Sequence, residues 1–155
     1  MKQYVVAILL NPALDKILLL HRNKDPYANR LNGIGGKIER GETVQEAFQR
    51  EMYEETGLSP NELAYYQEMV TMTFPNGLKL VCFYGVLSYE SIISVENEEG
   101  FLTWYSIEER DLLNASNSML AGDGNLPYLI QFARNLEMSR KNKDQLFQKS
   151  IIQGK

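Results

Sequence analysis

The spacing of apolar positions changes several times along the chain. Residues 4–10 and 16–22 are apolar runs rich in Val, Ile and Leu, and between them stands Asn11-Pro12-Ala13-Leu14-Asp15. Asn, Pro and Asp are turn formers, so this pattern predicts a β-hairpin. A polar stretch over 22–30 leads to Asn32-Gly33-Ile34-Gly35-Gly36. Three glycines in five residues predict a tight loop with close backbone approach, a place for a ligand. From Thr43 the period lengthens. Thr43 and Glu46 form a T-x-x-E capping box, Val44, Ala47, Phe48 and Met52 make an apolar stripe, and Gly57 closes the segment. That predicts a helix of about four turns.

Residues 63–74 and 78–89 read as long strands joined at Asn76-Gly77, a strong hairpin signal. In the second, Leu80, Cys82, Tyr84 and Val86 alternate with Val81, Phe83 and Leu87. Both faces are apolar, so the sheet is expected to be covered on both sides. Residues 101–105 read as a further short strand. Leu126, Leu129, Ile130, Ala133 and Leu136 recur at helical spacing behind Pro127, predicting a second amphipathic helix. The fold class is α+β or α/β, with a mixed sheet between helices.

The chain has 155 residues, 44% hydrophobic and 23% charged, enough for one core and one domain. We place that domain at residues 1–138 and read 139–155, with five Lys or Arg against one Asp, as a basic C-terminal tail or helix extension. A net charge of -4 argues against a general polyanion binder, so no nucleic-acid partner is expected and phosphate contacts must be local. The first apolar run is too short for a signal segment or a membrane span, which makes a cytoplasmic, membrane-free protein the expectation. The single cysteine, Cys82, alternates with core positions and reads as a buried thiol. His21, at a strand end, reads as structural.

The chemistry gathers on the first helix. Glu51, Glu54 and Glu55 stand at i, i+3 and i+4, three carboxylates on one face within a turn. Such crowding is tolerated on a solvated face or around a bound cation. Hard oxygen ligands suit Mg²⁺, with Mn²⁺ as the alternative, and a glycine-rich segment just ahead of the helix favours a phosphate site.

In order, the chain reads Gly36, five residues, Glu42, seven residues, Arg50-Glu51-Met52-Tyr53-Glu54-Glu55-Thr56-Gly57-Leu58. This resembles the Nudix box, G-x5-E-x7-R-E-U-x-E-E-x-G-U with U a bulky aliphatic, at every fixed position, with unbranched Met52 in one U slot. A chance match of seven fixed residues is on the order of 10⁻⁸ per start position.

The resemblance implies the Nudix α/β/α sandwich and a metal-dependent hydrolase of nucleoside diphosphate derivatives. It implies catalytic roles for Glu51, Glu54, Glu55 and Arg50, with Arg50 holding its neighbouring carboxylates. It implies metal ligation by Glu51, Glu54 and Glu55, a carbonyl of Gly35 or Gly36, and Glu99 outside the box, with Glu96 and Glu98 as rival alignments for Glu99. Glu42 reads as a brace between loop and helix, with a metal role as the alternative. For substrate, the resemblance implies Asn32 facing the base, Asp123 reading a purine edge, and Lys37 and Arg22 at the phosphates, with Arg30 nearby. The tryptophan that such enzymes place before the acid is replaced by Met119-Leu120, and Trp104 lies in a strand. The expected reaction converts a nucleoside triphosphate, such as 8-oxo-dGTP or a related purine nucleotide, to the monophosphate and pyrophosphate. ADP-ribose, a dinucleoside polyphosphate, or a silent nucleotide-sensing module are the alternatives. The expected partner is the small-molecule nucleotide alone, bound by a monomer or homodimer.

Overall fold

The computed structural model describes residues 2–23, 30–90, 94–96, 98, 100–107 and 125–153. The first hairpin forms as the pattern predicts, from β1 (Gln3–Leu10) and β2 (Lys16–Arg22), paired antiparallel at Leu9–Leu18 and Leu10–Ile17. Its turn is organised by buried Asn11, whose Oδ1 accepts the N–H groups of Asp15 and Lys16 at 3.0 and 2.8 Å.

After that short pairing β1 and β2 part. β4 (Ile34–Lys37) takes the vacated edge of β1, running antiparallel to Tyr4–Ala7, while β3 (Leu31–Asn32) pairs with β2. Gly35 and Gly36 thus lie in strand, with Gly33 at the break between β3 and β4, and the expected loop is corrected. Glycine is required here by neighbours, since a Cβ on Gly35 would strike the Val5 carbonyl oxygen and one on Gly36 the Glu51 carboxylate. Close approach, the other half of that expectation, stands.

Helix α1 (Val44–Thr56) carries the full capping box: the Glu46 N–H donates to Thr43 Oγ1 at 3.1 Å, and the Thr43 N–H to Glu46 Oε1 at 3.0 Å. Gly57, at φ 76°, ends it by donating to the Tyr53 carbonyl, the left-handed closure that glycine permits. A single 3₁₀ turn (Pro60–Glu62) leads to β5 (Leu63–Thr73) and β6 (Lys79–Leu87), an antiparallel hairpin turned at Gly77 with φ 86°. β7 (Ser94–Glu96) and β8 (Gly100–Ser106) complete the sheet, and α2 (Asn125–Gln153) follows. Residues 139–153 continue α2 without a break.

The strand order is β5-β6-β1-β2-β8-β7, with β4 beside β1 and β3 beside β2; β1 and β6 run parallel and the other pairs antiparallel. This is the mixed sheet expected. Alternation along the central strands divides the core in two. Val6, Ile8, Cys82, Tyr84 and Val86 pack under Leu126, Ile130 and Ala133 of α2. Val5, Ala7, Val81, Phe83 and Leu87 pack under Ala47, Phe48 and Met52 of α1, where the rings of Phe48 and Phe83 stack at 4.7 Å. One helix thus covers each face, as the doubly apolar β6 requires. The Cys82 thiol is buried, and desolvation pushes its pKa up to about 11.

On the α2 side, buried Glu137 accepts the Tyr84 hydroxyl at 3.0 Å and both Nε and Nη2 of Arg140 at 2.7 Å. Arg140 also lies 4.0 Å above the ring of Tyr65. Burial first, then the Glu137 bond, raises the Tyr84 pKa. Charge-assisted, bidentate bonding of this kind is what makes a buried carboxylate tolerable.

Candidate functional site

The capped start of α1 fixes the helix phase, and that phase turns Glu51, Met52 and Glu55 toward the sheet. Met52 is fully buried and Glu55 nearly so, whereas Glu54 is exposed. Glu55 Oε2 accepts the Gly35 N–H at 3.2 Å. Glu51 lies against Gly36, close enough that any side chain there would meet its carboxylate. Helix and glycine strand are thereby joined through two of the carboxylates the sequence singled out.

Arg50 organises the rest. Its Nε and Nη2 reach the two oxygens of Glu42 at 2.6 and 2.9 Å, its Nη1 reaches Glu51 at 2.8 Å and Glu54 at 3.3 Å, and its Nη2 also bonds the Lys37 carbonyl at 3.0 Å. A planar fork can serve several acceptors at once. The Arg50 hydrogen bond, then the Glu39 N–H, hold the Glu42 carboxyl at about 2. Glu42 therefore braces the segment before the helix to Arg50, as expected of it.

Among the described residues, no three His, Cys, Asp or Glu side chains stand close enough to cage an ion by themselves. Glu51 and Glu54 share Arg50, while Glu55 is turned to β4. The donors are nonetheless all oxygens, the kind that suit magnesium or manganese. Such an ion commonly completes its shell with substrate phosphates and water.

Where β1 and β2 part, on the α2 side, a cleft of about 500 Å³ opens. Arg22, Asn32 and Glu55 supply polar groups to it, and Gly33, Gly35 and Gly36 its backbone floor. Asn32 Oδ1 accepts the Gly33 N–H at 2.9 Å, a bond that leaves the Nδ2 donors of this amide unused. The opposite wall is apolar: Met72, Phe74, Leu78 and Leu80 from the β5–β6 hairpin, with Leu126 and Leu129 of α2. A concave, mostly apolar cavity with a few convergent polar groups is the usual form of a small-molecule site.

Of the expected substrate residues, Arg22 and Asn32 meet in this cleft, while Lys37 is exposed at the end of β4 and outside its lining. The Arg30 carbonyl accepts the Arg22 N–H at 3.0 Å. Glu99, Asp123 and Met119-Leu120 lie outside the described residues. Glu96 and Glu98 are exposed, His21 sits in β2 opposite Leu31 and Phe101, and Trp104 packs partly buried on the α1-side core. Sequence reasoning missed Tyr4, Met72, Phe74 and Asn125 as cleft residues. For Tyr4 a signal existed, since it shares strand parity with Val6 and pairs with Leu80 across the parallel register.

A model of the NUDIX domain matches residues 1–120. The oxidized purine nucleoside triphosphate hydrolase of Mus musculus is 38% identical over 60 residues, 39% of this chain and 37% of that protein. The 8-oxo-dGTP diphosphatase of Escherichia coli (strain K12) is 37% identical over 68 residues, 43% of this chain and 52% of that protein. The chain thus spans about half or less of the curated relatives it matches. Among solved structures, the NUDIX domain of Shewanella oneidensis NrtR complexed with ADP ribose superposes with a TM-score of 0.65 at 24% identity, covering 86% of each chain. That likeness establishes the sandwich fold.

Proposed function

Because the chain belongs to the NUDIX family, we propose that it is a Nudix hydrolase and that it converts a purine nucleoside triphosphate, 8-oxo-dGTP or a close relative, to the monophosphate and pyrophosphate. The observation that carries this reading is the junction of two unlike surfaces. A mostly apolar cleft roomy enough for a nucleoside, with the Asn32 amide and Arg22 in it, opens beside a helix face bearing Glu51, Glu54 and Glu55.

In this reading Asn32 Nδ2 donates to an oxygen on the purine, and the hairpin wall shields the ring from water. Arg22 and Lys37 neutralise phosphate charge from the two sides of β4. Glu51, Glu54 and Glu55, with a carbonyl of Gly35 or Gly36, are the donors for magnesium, or manganese in its place. When bound, that ion supplies charge neutralisation of the diphosphate and a lowered pKa for attacking water. Arg50 fixes the carboxylate geometry through its bonds to Glu42, Glu51 and Glu54, and a carboxylate it leaves accessible takes the proton from water. Asp123 and Glu99 keep their assigned roles at the purine edge and the ion. The protein acts in the cytoplasm on a free nucleotide; among the described residues no helix is long and apolar enough to cross a membrane.

A second reading, hydrolysis of ADP-ribose, is supported by likeness to the ADP-ribose pyrophosphatase of Methanocaldococcus jannaschii, 50% identical over 46 residues, 30% of this chain and 27% of that protein; dinucleoside polyphosphates would fit the same chemistry. The test is a hydrolysis screen with Mg²⁺ over 8-oxo-dGTP, the four dNTPs, ADP-ribose and a dinucleoside tetraphosphate, with products identified by chromatography. Fastest turnover of the oxidised purine, releasing pyrophosphate, supports the proposal. Faster cleavage of ADP-ribose moves the assignment to the second reading, and no cleavage of any compound leaves a silent nucleotide-binding module.

A further inference from the structure

α2 runs on past the body it packs against. Its last described side-chain contacts with the sheet and turns are Arg140 over Tyr65 at 4.0 Å and Lys141 Nζ to the Pro12 carbonyl at 3.2 Å. Residues 142–148 are all exposed, two full turns with no covered face. Leu146 and Phe147, at 65% and 67%, are the most exposed large apolar side chains among the described residues. Helical turns with no covered face are marginal in water, so the 142–148 segment needs a surface.

Charge selects the surface. Residues 139–155 carry Arg140, Lys141, Lys143, Lys149 and Lys155 against Asp144 alone, a net +4 within a chain of -4, which leaves -8 on residues 1–138. We propose that the overhang is an arm that docks on the acidic body of a second copy of this chain, with Leu146 and Phe147 as its apolar anchors and Lys143 among its charged flank. Two arms lying on each other would bring +4 against +4, whereas arm on body brings +4 against -8. Exchange of arms about a two-fold axis satisfies both copies at once and closes the assembly. The cleft lies at the opposite end of α2, at Asn125, Leu126 and Leu129, so the arm does not reach the cleft of its own chain.

The experiment is sedimentation of the full chain across concentration, in about 0.05 M and about 0.5 M NaCl, beside the double variant L146E/F147E and the separate variant K143E. Circular dichroism and hydrolysis rate per chain serve as folding controls. The expected result is a dimer whose dissociation constant rises by about tenfold or more in high salt and in the double variant, and to a lesser degree in K143E. The proposal is overturned by a chain that stays monomeric throughout, by a dimer indifferent to L146E/F147E, or by one that tightens with salt, as paired arms would. It is equally overturned if the chain stays monomeric while binding phosphatidylserine vesicles or a single-stranded RNA.

Discussion

Arg50→Lys keeps a positive charge and removes a fork. In the native chain Arg50 spans both oxygens of Glu42, one oxygen of Glu51 and the Lys37 carbonyl; a single ammonium cannot span these positions. Glu42 shows the size of the effect, its carboxyl held at about 2 against an ordinary 4.5, first by Arg50 and then by the Glu39 N–H. At about 1.4 kcal/mol per unit this corresponds to about 3 kcal/mol. The Arg50 and Glu42 side chains are 23% and 13% exposed, and solvent screening, the Glu39 share of the shift and the charge that Lys retains bring the expected loss to about 1 to 2 kcal/mol. Because the folded value lies below the unfolded one, the stabilisation is whole above about pH 4.5 and drains away as pH falls toward 2. Urea denaturation near neutrality and through that acid range checks both statements. Arg50→Lys should unfold at lower urea near pH 7 and lose less on acidification than the native chain. An unchanged midpoint near neutrality, or the same acid decline in both proteins, would refute the account of Arg50 as the brace of Glu42.

Glu54→Gln should keep the native fold, since Glu54 is exposed, and lose most hydrolytic activity, about 100-fold or more; equal activity, or hydrolysis that survives excess EDTA, would sink the metal mechanism. Gly35→Ala sets a Cβ against the Val5 carbonyl and should destabilise the chain by about 2 to 4 kcal/mol, whereas Gly36→Ala meets the movable Glu51 side chain and should cost activity more than stability; thermal melts paired with rates separate the two. Asn32→Ala and Asp123→Asn should each lower kcat/KM for the purine substrate by about 10- to 100-fold; loss of activity spread equally over all bases would place them elsewhere. Glu137→Leu should cost about 3 kcal/mol in denaturation, because the buried Tyr84 hydroxyl and Arg140 lose their shared acceptor; an unchanged midpoint would show that the network contributes nothing.

What could be read in advance was what is local. The first hairpin, the capped helix and the Asn76-Gly77 turn each carry their signal within a few residues, and the structure forms all three. The three glutamates sit on one helix, so their spacing alone brings Glu51, Glu54 and Glu55 to one turn. The glycine segment was misread because its glycines answer to Val5 and Glu51, distant in sequence and adjacent only after β4 replaces β2 beside β1. The cleft wall was invisible for the same reason. Met72 and Phe74 read as ordinary strand positions, and only the pairing of β6 with β1 sets them across from Asn32. Glu137 has no local signal at all, since its partner Tyr84 stands far away in sequence.

The parting of β1 and β2 also determines how this protein can change over generations. The carboxylates, their arginine brace and the glycine strand come from α1 and β4, while the apolar wall of the cleft comes from the β5–β6 hairpin tip and the first turn of α2. These two sets of residues occupy different elements. A lineage can therefore reshape Met72, Phe74 or Leu78, or lengthen the hairpin between them, without disturbing the bonds among Glu42, Arg50 and Glu51. What the cleft accepts can drift at one hairpin tip while the arginine brace is inherited unchanged.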